Sequence, residues 1–239
     1  DENLGCRKRI YCGLEWVISQ VEEAIILEDD CLTDISYFGF CQTLLQYYRH
    51  DRRVWMISGD NFQNGHQRGD GSYYFSYYPH CWGWATWKRA WQNYDDDLSQ
   101  WTDFKEYKFL QSLFKDPKEV RYWEEIFDNL ITTKQPDSWA YRWAYSCWRN
   151  SGLTILPNVN LVSNIGFGED STHTKNSDDP SANLEAKSIL SLNHPSFVVR
   201  DFMADKYTFD NLFIGAKANK KSRFIGKISK IMKRIKGKI

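Results

Sequence analysis

The sequence predicts an α/β fold, a sheet flanked by helices, on three observations. "AIIL" (24–27) is a short apolar run with β-branched residues and no helical spacing, which suits a strand covered on both faces. After it, Phe38, Cys41, Leu44, Leu45 and Tyr48 recur on one helical face, and Asp34 stands where a capping residue would open that helix. "RVWMISG" (53–59) then reads as a second strand. Strand, crossover helix and strand are the parts of a βαβ unit, whose strands normally pair in parallel.

The other elements follow in order. Residues 13–20 close a helix that feeds the first strand, and the polar, glycine-rich "NFQNGHQRGDGS" (61–72) is a loop. Residues 73–78 and 83–87 are short aromatic strands around a turn at Pro79. From 95 to 135 the pattern is polar and helical, with an irregular stretch near Pro117. Asp137 or Ser138 caps a helix that carries Trp139, Trp143 and Cys147 on one line, and Gly152 stops it. "LTILP" (153–157) is a last strand, and 158–174 is a loop of polar side chains and glycines.

The chain has 239 residues, long enough for one good core, and its 11 tryptophans, 14 tyrosines and 14 phenylalanines exclude a disordered protein. Lysine plus arginine equal aspartate plus glutamate at 31 each, so total charge points to no acidic or basic partner. The distribution is uneven. Ten of the basic residues and no acid lie between Lys217 and Ile239, leaving 21 basic against 31 acidic residues in the body. Within that stretch Ile225, Ile228, Met232, Ile235 and Ile239 recur at helical spacing, so 216–239 reads as a basic amphipathic tail suited to an anionic membrane surface, or as a solvated terminus. Its single aromatic, Phe224, gives no stacking series, and a nucleic-acid partner is not expected.

The cysteines at 6, 12, 31, 41, 81 and 147 form no CxxC pair or zinc spacing and read as reduced core residues. No run approaches the roughly 18 to 20 apolar residues of a membrane span, and no signal peptide opens the chain. The expected location is cytoplasmic, peripheral at the inner membrane face if the tail binds lipid. Because the first residue is Asp1 rather than methionine, part of a longer polypeptide is expected.

Chemistry concentrates where the first strand ends. Glu28, Asp29 and Asp30 are three adjacent carboxylates that repel one another unless solvent or a cation relieves them. Ligands of α/β sheets collect beyond the carboxyl ends of the strands, where this triplet lies. The same acids also suit a capped turn before Leu32. A divalent ion held by one carboxylate, one imidazole and the oxygens of a diphosphate fits manganese or magnesium better than a closed zinc cage, and His173 is a candidate for the imidazole.

The ordered segments "GLEW", "AIILEDDC", "YFGFCQTLL", "VWMISGDNF", "YPHCWGWATWKRAW", "SWAYRWAYSCWRNSGLTILP" and "NLVSNIGFGEDSTHT" resemble the nucleotide-diphospho-sugar transferases of the GT-A fold. The resemblance runs from about residue 3 to 175 and is nearest in kind to bacterial family 2-like glycosyltransferases and N-acetylglucosaminyltransferase I. It implies a Rossmann-like mixed sheet over residues 1–215. It also implies a manganese or magnesium ion held by Asp30 with His173 close by, and a UDP- or GDP-linked sugar donor near Glu28 and Asp29. Trp82, Gly83 and Trp84 would close over the donor sugar and meet a saccharide or lipid-linked acceptor, and Trp139 would add to the substrate surface.

Two departures from that pattern stand out. The family's base follows a tryptophan, but Trp139 is followed by Ala140; Asp137 is the first substitute, ahead of Glu169 and Asp170. The strands that normally grip the nucleotide base ahead of the acidic strand are also absent. Metal-dependent, inverting sugar transfer is therefore the leading expectation. A non-catalytic carbohydrate-binding or scaffold module of the same fold is the alternative. A phosphoryl or nucleotidyl transferase ranks last for want of a glycine loop with lysine.

Overall fold

The structure is a computed structural model that describes residues 2–167, 181–182 and 184–214. His173, Glu169, Asp170 and the basic tail lie outside the described residues. Helix α1 (Gly5–Gln20) leads into strand β1 (Glu23–Ile26); β2 (Cys31–Thr33) and α2 (Ser36–Tyr47) follow, then β3 (Val54–Ser58), β4 (Tyr73–Ser76) and β5 (Trp84–Trp87). Four helices come next, α3 (Lys88–Trp91), α4 (Trp101–Glu106), α5 (Phe109–Leu113) and α6 (Pro117–Thr132). Helix α7 (Trp139–Arg149), β6 (Leu153–Pro157), β7 (Val162–Asn164), α8 (Phe202–Thr208) and a π-helical turn (Phe209–Ile214) complete the described order.

Five strands form one open, mixed sheet in the order β1-β5-β3-β6-β4. Strands β3 and β6 are parallel, and every other neighbouring pair is antiparallel. The expected βαβ unit is thus altered: α2 does join β1 to β3, but β5 lies between them and pairs antiparallel with both. The two strands run in the same direction without touching. The reason is burial. "WATW" in β5 is buried along its whole length and takes an inner place, whereas β1 is only half-buried and Leu27 after it is 40% exposed. The first strand is an edge strand, not one covered on both faces.

Side-chain alternation divides the sheet between two cores. Met56 and Trp84 face α1, α6 and α7, packing with Trp123, Trp139, Trp143 and Trp148. Ile57, Ala85 and Ile155 face α2, packing with Tyr37, Phe40 and Leu44. Phe38, expected on that inner face, is 41% exposed, and Tyr37 and Phe40 occupy it instead. The N-cap position of α2 is Ile35, without a side-chain capping bond; Asp34 stands one residue ahead, its Oδ1 accepting from the Ser36 backbone N–H at 2.8 Å. Pro117, in the stretch read as irregular, is the first residue of α6, whose N-cap Asp116 accepts from the Lys118 N–H at 2.9 Å.

The N-cap position of α7 is Ser138, one of the two residues expected there, without a side-chain capping bond. Gly152 follows the helix because a Cβ there would lie 2.6 Å from the Trp55 ring. The segment read as a loop from 158 contains β7, which pairs antiparallel with β2 over three residues. This ribbon ties the chain after β6 to the acidic segment after β1.

All six cysteines are free, yet only Cys41 and Cys147 are buried, so the core assignment holds for two of the six. Among the described residues, no helix is long and apolar enough to cross a membrane.

Candidate functional site

Strands β1, β3 and β6 end on the same edge of the sheet, and the segments after β1 and β3, with the chain at and after the end of β7, line an open cleft of about 1640 Å³. Pockets for a single drug-sized ligand usually measure about 300 to 1,000 Å³, so this one has room for two substrate bodies. Its wall includes Glu28, Asp29 and Asp30 after β1, Asp60 and Phe62 after β3, and the segment 78–82 before β5.

The three acids are not alike. Asp29 is exposed, while Glu28 and Asp30 are half-buried. Burial, and then the neighbouring Asp30, hold the Glu28 carboxyl above its ordinary range, against a hydrogen bond of 3.3 Å donated by the Trp139 indole N–H to Oε1. Asp30 Oδ1 accepts from the Cys31 thiol at 3.6 Å, and its backbone oxygen accepts from the Ile165 N–H at 2.9 Å. A Cβ on Gly166 would stand 2.1 Å from Asp30 Oδ2. Only glycine lets the chain after β7 pass so near that carboxylate.

Among the described residues, no salt bridge neutralises any of the three acids. Nor do three histidine, cysteine or acidic side chains converge there to hold a metal ion. The triplet is thus not a ready-made cage. One carboxylate of the triplet could hold a divalent cation only together with further oxygen ligands from a bound molecule.

The aromatic residues divide by depth. Trp82 is half-buried on the cleft wall, edge-on to Phe62 at 5.0 Å and to Phe167 at 5.5 Å. Trp139 also lines the cleft but is 3% exposed and acts mainly by holding Glu28. Trp84 lies behind it, fully buried and stacked on Trp139 with ring centroids 5.1 Å apart. Gly83 is buried at φ +63°, where a Cβ would meet Val162 at 2.8 Å and Leu27 at 3.2 Å. Trp84 and Gly83 therefore shape the wall from behind without lining it.

Asp137 stands beside the cleft rather than in its wall, although Pro136 and Ser138 line it. Its Oδ1 lies 3.4 Å from Arg7 Nε, and its Oδ2 faces Gly5. Asp137 is engaged with the first helix.

A pair missed in the sequence lines the same cleft. Asp60, 1% exposed, meets His80, 5% exposed, with Oδ1 2.7 Å from the imidazole Nδ1. Asp60 also accepts from Ser58 Oγ at 3.3 Å and from the Trp82 backbone N–H at 3.2 Å. Phe62 packs on the imidazole at 5.0 Å. Burial pushes the neighbouring Cys81 thiol well above the ordinary range, and Glu28 and Asp60 both add to the effect. A signal was available, because Asp60 follows a strand end just as Glu28 does.

Glu119, 3% exposed, lies beneath the wall residue Tyr78 and accepts a hydrogen bond from its hydroxyl. Burial pushes its carboxyl up to about 7, against the opposing effects of Tyr78 and Arg200.

Among known proteins, no family model matches the chain and no curated protein matches it.

Proposed function

We propose that the chain is a metal-dependent glycosyltransferase that moves a sugar from a nucleotide diphosphate donor to a saccharide or lipid-linked hydroxyl. The observation that carries this reading is an uncompensated acidic group at a strand end, inside a cleft large enough for donor and acceptor together. Asp30 would hold the cation, with the donor's diphosphate oxygens filling the rest of its shell. Gly166 brings the chain that leads to His173 against the same carboxylate. A bound manganese or magnesium ion would neutralise the charge that builds on the diphosphate as the glycosidic bond breaks. Glu28, kept in place by Trp139, would face the ribose or sugar of the donor. Trp82 and Phe62 would offer ring faces to the sugars.

The test is nucleotide release from a panel of UDP- and GDP-sugars with manganese. Metal-dependent release from at least one donor is the expected result. No release and no metal-dependent donor binding would end the reading. One observation favours the second reading, a carbohydrate-binding module without turnover: Asp137 is engaged with Arg7, and Ala140 stands where an acid would be expected. Such a module would change its tryptophan fluorescence with glycan alone and ignore manganese and UDP.

A further inference from the structure

We propose that Asp60 and His80 form the proton-accepting dyad of this cleft, with His80 Nε2 taking the proton of the attacking hydroxyl and Asp60 positioning the ring. The inference rests on the glycosyl-transfer reading and supplies the base that Asp137 does not. Its first support is geometric. A carboxylate can only accept hydrogen bonds, so at 2.7 Å from Asp60 Oδ1 the Nδ1 atom carries the hydrogen, which leaves Nε2 as the ring nitrogen able to take a proton. Ser58 and the Trp82 N–H also bond to Asp60 and fix it in place.

The second support is independent. The His80 side chain is 3% exposed, and Nε2 is buried without a hydrogen-bond partner among the described residues. A buried polar atom left unmatched is costly and calls for an explanation. Both residues belong to the wall that also carries Glu28 and Asp29, so the missing partner is a ligand hydroxyl reaching that wall. Phe62 packs against the imidazole and stands edge-on to Trp82, which holds the ring on that side.

The step balances without an oxidant or reductant. The acceptor oxygen forms a bond to the anomeric carbon, and the bond from that carbon to the phosphate oxygen breaks. Its electron pair leaves with the nucleoside diphosphate. The hydroxyl proton passes to Nε2, and the resulting imidazolium is stabilised by Asp60.

The experiment compares the wild type with His80→Gln, His80→Asn and Asp60→Asn on UDP-glucose, UDP-galactose, UDP-N-acetylglucosamine and GDP-mannose with manganese, water serving as the acceptor hydroxyl. Nucleotide release gives kcat, and tryptophan quenching by manganese plus UDP gives Kd. Both His80 variants should lose at least about 100-fold in kcat with Kd within about threefold of wild type, and Asp60→Asn about 10-fold or more. Added imidazole should restore part of the release by His80→Ala, which a purely structural role would not allow. Circular dichroism checks folding, and if the Gln variant is unfolded the Asn and Ala variants carry the comparison.

The dyad is overturned if the His80 variants release nucleotide at near wild-type rates, if kcat and Kd fall together without imidazole rescue, or if wild type binds manganese and UDP yet turns over no donor. A wild type that binds no manganese and UDP overturns the glycosyl-transfer reading, and the dyad with it.

Discussion

Strands β1 and β3 run the same way and leave the sheet at the same edge, each followed by acid, and the two exits are treated differently. After β1, three carboxylates stand together with no salt bridge among the described residues, and repulsion and burial hold Glu28 above its ordinary range. After β3, one carboxylate is almost fully buried and surrounded by donors from Ser58, His80 and the Trp82 backbone. An uncompensated exit suits a cation brought by a ligand, and a compensated exit suits the fixed orientation of a neighbour. Carboxylates in equivalent places after two strands thus meet different surroundings, one at the sheet's edge and the other within it.

The largest effect should separate the two exits by stability alone. Asp60→Ala leaves His80 Nδ1, the Trp82 N–H and Ser58 Oγ without their acceptor in a buried place and should cost about 3 kcal/mol in urea unfolding. Asp29→Asn, at an exposed site, should stay within about 0.5 kcal/mol. Equal costs would break the comparison.

A third acid sharpens it, since Glu119 is buried without a cationic partner at hydrogen-bond distance among the described residues. Its carboxyl is raised from 4.5 to about 7 in the folded protein, so the folded state binds more protons than the unfolded state between those values. Its contribution is therefore greatest at the acid end, falls as pH rises from 4.5 to about 7, and is level above that. Glu119→Gln should remove this fall, changing the stability difference between pH 5 and 7.5 by about 2 kcal/mol. Thermal melts at the two pH values provide the measurement.

Next in size is a change that alters no charge. Gly166→Ala would press a methyl group onto Asp30 and should weaken manganese-dependent UDP binding about tenfold or more, with little effect on nucleotide-free stability if the loop yields. The smallest is Glu28→Gln, which relieves like-charge repulsion. It should raise stability by about 1 kcal/mol while lowering donor binding, the trade expected of an acid retained for its ligand.

Much of the scaffold could be read from the chain. The apolar runs before Glu28 and Asp60, the tryptophan line of α7 and the strand "LTILP" carried their periodicity openly. What stayed hidden depends on distant partners. Periodicity cannot distinguish an edge strand from an inner one, so the insertion of β5 beside β1 was not legible. The three-residue β2–β7 ribbon is too short to leave a pattern. The acidic half of the site was visible because its residues are adjacent. His80 and Asp60, twenty residues apart, become a pair only through the antiparallel return of β5 beside β3. Nothing local announces that Asp137 meets Arg7 on the first helix.

The central claim, that the β1 exit grasps a divalent cation together with a diphosphate, is tested most directly by electron paramagnetic resonance of manganese titrated with protein and UDP. The account predicts that the free-ion signal falls with wild type only when UDP is present, and that Asp30→Asn abolishes the UDP-dependent part. A signal that falls equally for wild type and Asp30→Asn, or for neither, would contradict it.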